Sequence, residues 1–402
     1  MFSPGPTGLF LAQALKHLGV KFSIFERDPS IAGRGHGADW GMGIYWSRPL
    51  LEKILPPDLF ARICEATADP TLDPSDPENR VIPVHNGETG VWMHDIELDW
   101  LLRLSRKKVR ALMSEGVDVQ WGKFLEKIDM FVEGGKAVTV TFQDGTMETG
   151  TMIVGCDGGR SLVRQHAIQS DPEAAQPKST NAGFVGVRSV FKLKTDEEAL
   201  RARSVSPVAF MTIHPKGMWW FMIVLDVPDT SKPKDWTFQT LTTWASSEPV
   251  SSSGRTPDVT APELQSRQAQ FGGVFGDICR SARSLSEEDI AHNQIRVGCW
   301  PTKEWNSFGG RLVLCGDAAH LMPFMRGQGL NNAIADLAGF MDAMRKVVKD
   351  GSDLEEEVEK CNREIVKRGF KAVNDAMLNC EMVHDWEKFR ESDVIAKGTM
   401  NV

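Results

Sequence analysis

The chain has 402 residues, 41% of them hydrophobic and 25% charged, which suits two domains or one large α/β domain carrying an insertion. Its net charge of −8 argues against a nucleic-acid partner, and the run Arg106-Lys107-Lys108 is short enough to be a solvated helix face. No stretch approaches the ~18 apolar residues of a transmembrane helix, so no integral membrane segment is expected. The N-terminus lacks the basic n-region of a signal peptide. Seven scattered cysteines without a CxxC pair argue against a disulfide framework and for a reducing, cytoplasmic setting. Cys156 and Cys315 lie in apolar runs and read as buried, inert thiols.

In chain order, residues 8–18 are apolar at helical spacing and stop at Gly19. Residues 21–25 read as a short strand ending in Glu26-Arg27, so the two segments are the later two-thirds of a βαβ unit. A glycine-rich loop follows at 33–43. A hairpin is expected from 80–84 and 90–93 around Asn86-Gly87. The spacing then predicts a helix from about 98 to 115. Residues 137–142 alternate as a strand turning at Asp144-Gly145, and 151–155 form a short apolar strand running into Asp157. Strands at 184–191, 208–213 and 218–225 read as an antiparallel sheet inserted into the α/β scaffold. The Ser- and Pro-rich stretch 246–258 reads as a surface loop. A parallel-type strand returns at 311–317, a helix starts near Gly329, and 353–394 is helical. No internal repeat is visible.

Three separated segments end a strand on a Gly- or Asp-rich turn. The first is Gly5-Pro6-Thr7-Gly8, with Glu26 eighteen residues after Gly8. Glycines let the backbone approach a pyrophosphate at a helix N-terminus, and an acid ending the next strand accepts ribose hydroxyls. The second runs from Val154 through Asp157 and Gly158 to Arg164. The third is Gly316-Asp317-Ala318-Ala319-His320-Leu321-Met322-Pro323, continuing to Gly327-Gln328-Gly329-Leu330-Asn331-Asn332 and Asp336. An aspartate after a buried strand hydrogen-bonds a polyol, and a glycine-rich helix start presents N–H groups to an electron-rich ring edge.

In this order and spacing the segments resemble the GxGxxG, DG and GD fingerprints of the class A flavoprotein monooxygenases, the para-hydroxybenzoate hydroxylase-like family, from residue 3 to about 345. The resemblance implies an α/β fold: a Rossmann-type FAD-binding domain with an inserted, mostly antiparallel β-sheet substrate domain and C-terminal helices. The implied division places FAD-binding parts at 1–70, 98–182 and 296–345. The substrate domain takes 71–97 and 183–295, and the C-terminal helices 346–402. Gly5 and Gly8 would line the FAD pyrophosphate and Glu26 would bind the adenosine ribose. Arg106 would reach FAD, and Arg34 would touch FAD or the incoming nicotinamide nucleotide. Asp157 and Gly158 would sit near FAD and NAD(P)H. Gly316 and Asp317 would hold the ribityl chain, Pro323 would lie beside the reactive flavin face, and Gly327, Gln328, Gly329, Leu330 and Asn331 would approach the pyrimidine ring. No metal and no separate NAD(P)H-binding domain are implied.

The implied activity is that of an NAD(P)H-consuming, FAD-dependent monooxygenase. It would use O₂ to hydroxylate or epoxidise an aromatic or other electron-rich small molecule through a flavin C4a-hydroperoxide, and the cofactor would carry the hard chemistry. Expected substrate walls are Phe210, Trp219, Trp220 and Phe221, with His214, Arg188, His36 and Arg326 as candidate polar contacts. No catalytic base is identifiable. Two departures stand out. Ser3 occupies the position of the family's first glycine and almost nothing precedes it, which raises the expectation of a truncated or mis-started chain. Loss of a central first strand should expose backbone donors and apolar faces of its neighbours. Other FAD oxidoreductases, or an inactive truncated remnant, stay open as alternatives. A halogenase is disfavoured because Trp40-Gly41-Met42-Gly43-Ile44 is not a WxWxIP signature.

Overall fold

The computed structural model describes residues 4–30, 39–132, 137–169, 180–246, 259–281 and 285–392. Helix α1 (Pro6–Leu18) opens on a proline at its first turn and closes at Gly19, whose φ of 78° lets its N–H bond Lys16 O at 3.1 Å. Leu9, Phe10, Leu11 and Ala12 are fully buried, so α1 is a central helix. Strand β1 (Ile24–Phe25) follows, then β2 (Gly41–Ile44), α2 (Arg48–Ile54) and α3 (Pro57–Ala61). The hairpin of β3 (Val81–Asn86) and β4 (Trp92–Glu97) forms where expected. Its turn is held by Asn86 Oδ1, which accepts the N–H groups of Glu88 and Thr89 at 2.9 and 3.1 Å.

The helix expected over 98–115 is shorter than its spacing suggests. Residues Leu102–Ser105 form strand β5, antiparallel to β2, and α4 covers only Arg106–Met113. The boundary is fixed by Ser105, whose hydroxyl accepts the Lys108 N–H at 3.1 Å as an N-cap. Tertiary pairing with the glycines of β2 thus overrides local helical spacing. Strands β6 (Val119–Gln120), β7 (Leu125–Val132), β8 (Ala137–Phe142), β9 (Met147–Gly150) and β10 (Ile153–Gly155) lead to α5 (Leu162–Gln169).

The inserted layer contains β11 (Thr180–Phe191), α6 (Asp196–Val205), β12 (Ala209–His214), β13 (Met218–Asp226) and β14 (Thr237–Ala245). Helices α7 (Ala261–Gln268), α8 (Gly273–Ser281) and α9 (Glu287–Asn293) precede β15 (Gln294–Cys299). The seven-stranded sheet has the order β15-β11-β14-β13-β12-β3-β4 and is antiparallel except where β12 meets β3. Alternation along β13 sends Trp220, Met222 and Val224 into a core with Phe271 and Phe275 of the α7–α8 region. Trp219 goes to the other face, packed with Tyr45, Leu241, Met325 and Val383. Strand β16 (Leu312–Leu314), α10 (Asp317–His320), α11 (Gly329–Arg345), α12 (Leu354–Val383) and α13 (Trp386–Arg390) complete the fold. None of the described helices is long and apolar enough to cross a membrane. Cys156 and Cys315 are buried, as the apolar runs around them suggest.

The remaining parallel strands form two separate pairs. β1 pairs in parallel with β6, and β10 pairs in parallel with β16. Between the two pairs runs a groove of about 970 Å³, lined by Phe22, Phe25, Met152, Val154, Phe340 and Met344 among others. Ile153 N–H bonds Arg311 O and Gly155 O accepts the Cys315 N–H, so the backbone of Val154 points away from β16, toward the groove. Glu26 N–H bonds Gln120 O, which turns the Phe25 backbone the same way. Phe25 and Val154 line this groove while remaining only 5% and 2% exposed; Ser3 lies outside the described residues.

Candidate active site

The floor of the site is the turn from β16 into α10. Gly316 adopts φ 64°, ψ −142°, and a Cβ there would stand 2.9 Å from Thr7 Oγ1 in the first turn of α1. The glycine therefore lets the third motif press against the first. Gly316 N–H donates to Asp336 Oδ2 at 2.7 Å, and the same oxygen accepts from His320 Nε2 at 2.7 Å. Arg368 of α12 reaches Asp336 Oδ1 at 2.7 Å. Burial alone would push the Asp336 carboxyl up, but His320, Arg368 and the Gly316 N–H outweigh it and hold the group below the usual aspartate range.

Asp317, the next residue, behaves differently. Its side chain is open to the cleft and makes no hydrogen bond to the described residues. Burial of its surroundings raises its carboxyl pKa, while His320 and Arg164 pull it down. Arg164 is fully buried and stitches the second and third motifs together: it donates to the carbonyls of Gly159 at 2.5 Å, Ala318 at 3.0 Å and Asp317 at 3.2 Å. Its guanidinium also lies 4.8 Å over the Trp300 ring. Burial lowers its pKa to about 10, against the pull of Asp157 and Asp317, so it is a cation at neutral pH.

The first motif lies alongside. Gly5 is the N-cap of α1 with no side-chain cap, Gly8 is buried within the helix, and Pro4 O accepts from Arg110 Nε of α4 at 3.0 Å. Glu26, at the end of β1, is 4% exposed and takes the Asp28 N–H at 3.1 Å. Arg106 opens α4, half-buried, with its N–H on Trp40 O. Asp157 turns its carboxylate onto the start of α5, accepting from Ser161 Oγ at 2.5 Å and Leu162 N–H at 2.7 Å, while Gly158 takes φ 77°. Arg34 and His36 lie outside the described residues.

In the segment 323–331, Pro323 is buried and Gly327 takes φ 64°. Gly329 begins α11 with no side-chain cap, and Leu330 is half-buried beside it. Gln328 accepts from Trp46 Nε1 at 2.8 Å. Asn331 spends its whole amide on the opposite wall: Oδ1 accepts from Tyr45 N–H and Ser47 Oγ, both at 2.8 Å, and Nδ2 donates to Gly43 O at 3.0 Å. The motif reading named Asn331 and ended its second segment on Arg164 without giving either this role, and it missed Tyr45, Arg103 and Arg368. Their partners lie far apart in sequence, and no local pattern marks them.

Over the floor stands the near face of the inserted sheet. Trp219 stacks on Phe221 at 5.3 Å, and Phe324 lies 6.0 Å from both Trp219 and Trp40. Arg188 sits 5.5 Å over the Trp40 ring and donates to Asn293 Oδ1 at 2.9 Å and Asp39 O at 3.2 Å. Of the expected walls, Trp219 and Phe221 therefore meet in one aromatic cluster with Phe324. Phe210 and Trp220 do not, because strand alternation turns them to the helix-covered face with Phe275. His214 is fully buried, with Phe271 5.2 Å away. Arg326 ion-pairs with Asp375 of α12 at 3.5 Å, so it is not a free substrate cation.

These residues fit FAD: an open carboxylate without a hydrogen-bond partner among the described residues, glycine turns on two helix starts, and a buried acid just after β1. A family profile described as FAD binding domain matches residues 4–256 and 294–365. The FAD-dependent monooxygenase phnB of Penicillium herquei is 33% identical over 397 residues, covering 98% of this chain and 93% of its own. The FAD-dependent monooxygenase cctM of Talaromyces islandicus is 34% identical over 395 residues, with 98% and 94% covered. Among solved structures, Klebsiella pneumoniae HpxO complexed with FAD and uric acid superposes with a TM-score of 0.73 at 16% identity, over 97% of this chain and 90% of that one. The chain belongs to the FAD-binding class A flavin monooxygenase family and is an FAD-dependent monooxygenase.

Proposed function

We propose that this enzyme consumes NAD(P)H and O₂ to place one oxygen atom on an electron-rich aromatic molecule held between the flavin cleft and the near face of the inserted sheet. The observation that carries this reading is the aromatic cluster of Trp40, Trp219, Phe221 and Phe324, in which Phe324 directly follows Pro323. Bound FAD, once reduced, supplies the activation of O₂.

The chain's own residues bind and orient. Asp317 takes ribityl hydroxyls, Glu26 takes the adenosine ribose, and the start of α1 at Gly5 to Gly8 meets the pyrophosphate. The uncapped start of α11 directs N–H groups of Gly329 and Leu330 at the electron-rich pyrimidine edge, where they stabilise developing negative charge. Arg164 holds the two Asp-bearing turns in register. Aromatic walls exclude water from the reacting face.

The test is a visible spectrum of the purified protein with FAD added, followed by NAD(P)H consumption with and without phenolic compounds. The reading predicts flavin bands, oxidation stimulated by substrate, and a product heavier by one oxygen. Oxidation that yields only hydrogen peroxide with every compound would place the enzyme in another oxidoreductase class.

A further inference from the structure

Asp336 is fully buried in α11, and its Oδ2 accepts the N–H of Gly316, the residue before Asp317. A carboxylate in that place sets a negative charge directly behind the turn that carries Asp317, where little water screens it. The opposite charge comes from α12. Arg368 Nη2 donates to Asp336 Oδ1 at 2.7 Å, and its side chain is 20% exposed. Arg368 lies beyond all three glycine- and aspartate-rich segments, so no motif assigns it a role.

The same guanidinium holds the start of α11. Its Nη1 donates to Asn332 Oδ1 at 3.0 Å and to Asn332 O at 3.2 Å. With Oδ1 so engaged, Asn332 Nδ2 donates to Gln328 O at 3.1 Å, at the N-cap of α11. Glu364, one turn earlier in α12, takes the remaining donors: Nε at 2.8 Å and Nη2 at 2.9 Å. Burial works against the cation, but Asp336 and Glu364 outweigh it and raise its pKa, so the charge is permanent. Arg368 therefore reaches both turns assigned to the flavin, one through Asp336 and Gly316 and the other through Asn332 and Gln328.

We propose that Arg368 is a positioning residue that sets the reduction potential of the bound FAD by neutralising Asp336 behind the Asp317 turn. Hydride transfer from NAD(P)H delivers two electrons and one proton, so the reduced ring carries one more negative charge and the nicotinamide leaves as a cation. An unbalanced Asp336 would oppose that charge, and the pair with Arg368 removes the opposition. This rests on the flavin placement of the monooxygenase reading. It adds that a charge pair behind the two turns governs how readily the cofactor is reduced.

The test is the midpoint potential of bound FAD, read by anaerobic dye-coupled titration of the FAD-loaded full chain. Arg368→Gln should bind reduced FAD about tenfold more weakly relative to oxidised FAD, a midpoint about 30 mV more negative. Arg368→Lys keeps the charge and should stay within about twofold of wild type. In the double variant Arg368→Gln/Asp336→Asn both charges are gone, and the midpoint should return to within about twofold of wild type although the hydrogen bonds stay broken. Asp336→Asn alone unbalances the pair the other way and should move the midpoint positive, which keeps the test open if Arg368→Gln does not fold. Retained FAD shows that a variant is folded. A purely structural role would lower stability and leave the midpoint unmoved. That result in FAD-loaded Arg368→Gln or Asp336→Asn, or a double variant shifted as far as Arg368→Gln, overturns the proposal. Substrate-stimulated NAD(P)H oxidation surviving in either case leaves the monooxygenase reading intact.

Discussion

The side-chain amide of Asn331 holds the backbone N–H of Tyr45 at 2.8 Å, tying the start of α11 to the end of β2. The same amide also bonds Ser47 Oγ and Gly43 O, and Asn331 is fully buried. The wall that carries Tyr45 and the helix start beneath it thus share one residue. Asn331→Ala leaves buried backbone groups of Tyr45 and Gly43 without partners, each costing about 1–3 kcal/mol. Urea unfolding should show a lower midpoint at unchanged slope, and FAD affinity should fall with it.

The floor of the site depends on a buried ion pair. Asp336 accepts from Gly316 N–H, His320 and Arg368. Asp336→Ala removes the acid and leaves the other groups buried, a loss of about 3–5 kcal/mol. Because the Asp336 carboxyl is held below its unfolded value, its contribution is present above the ordinary aspartate pKa and is lost as pH falls through the depressed one. Acid unfolding curves of the wild type and variant should converge at low pH.

Arg164→Lys tests the joint between the Asp-bearing turns. Lysine keeps the charge but cannot reach the carbonyls of Gly159, Asp317 and Ala318 with one planar fork. FAD affinity should weaken by about tenfold, read by fluorescence titration, while urea stability falls by about 1–2 kcal/mol. Unchanged FAD affinity would remove Arg164 from the cofactor site.

His384 links the C-terminal helix to the inserted sheet. Its Nδ1–H donates to Cys380 O at 2.7 Å, leaving Nε2 to accept from Thr243 Oγ1 at 2.8 Å, and its ring stacks 4.3 Å from Phe184. Burial pushes its pKa down to about 4. The neutral ring's contribution is complete above the unfolded value of about 6.5 and is lost as pH falls toward 4, up to about 3 kcal/mol. Thermal melts should therefore drop between pH 7 and 5, and His384→Gln should flatten that slope.

Local physics made the Gly- and Asp-rich turns legible in the sequence. An aspartate that follows an apolar strand marks itself within about ten residues, as at Asp157 after β10 and Asp317 after β16. The strands around Trp219 and the helix beginning at Gly329 are equally local signals. What the sequence could not reveal is which face of β13 the helices cover. Alternation says only that Trp219 and Trp220 point opposite ways, and the packing of α7 and α8 onto Phe210 and Trp220 decides which. Likewise 102–105 became a strand only because β2, some sixty residues earlier, offered glycines to pair with. The Asn331–Tyr45 bond joins residues 286 apart, and the Arg103–Tyr45 contact brings together a side chain of β5 and the residue that follows β2. Such contacts have no period and no motif; they exist only once the folded backbone removes the space between them.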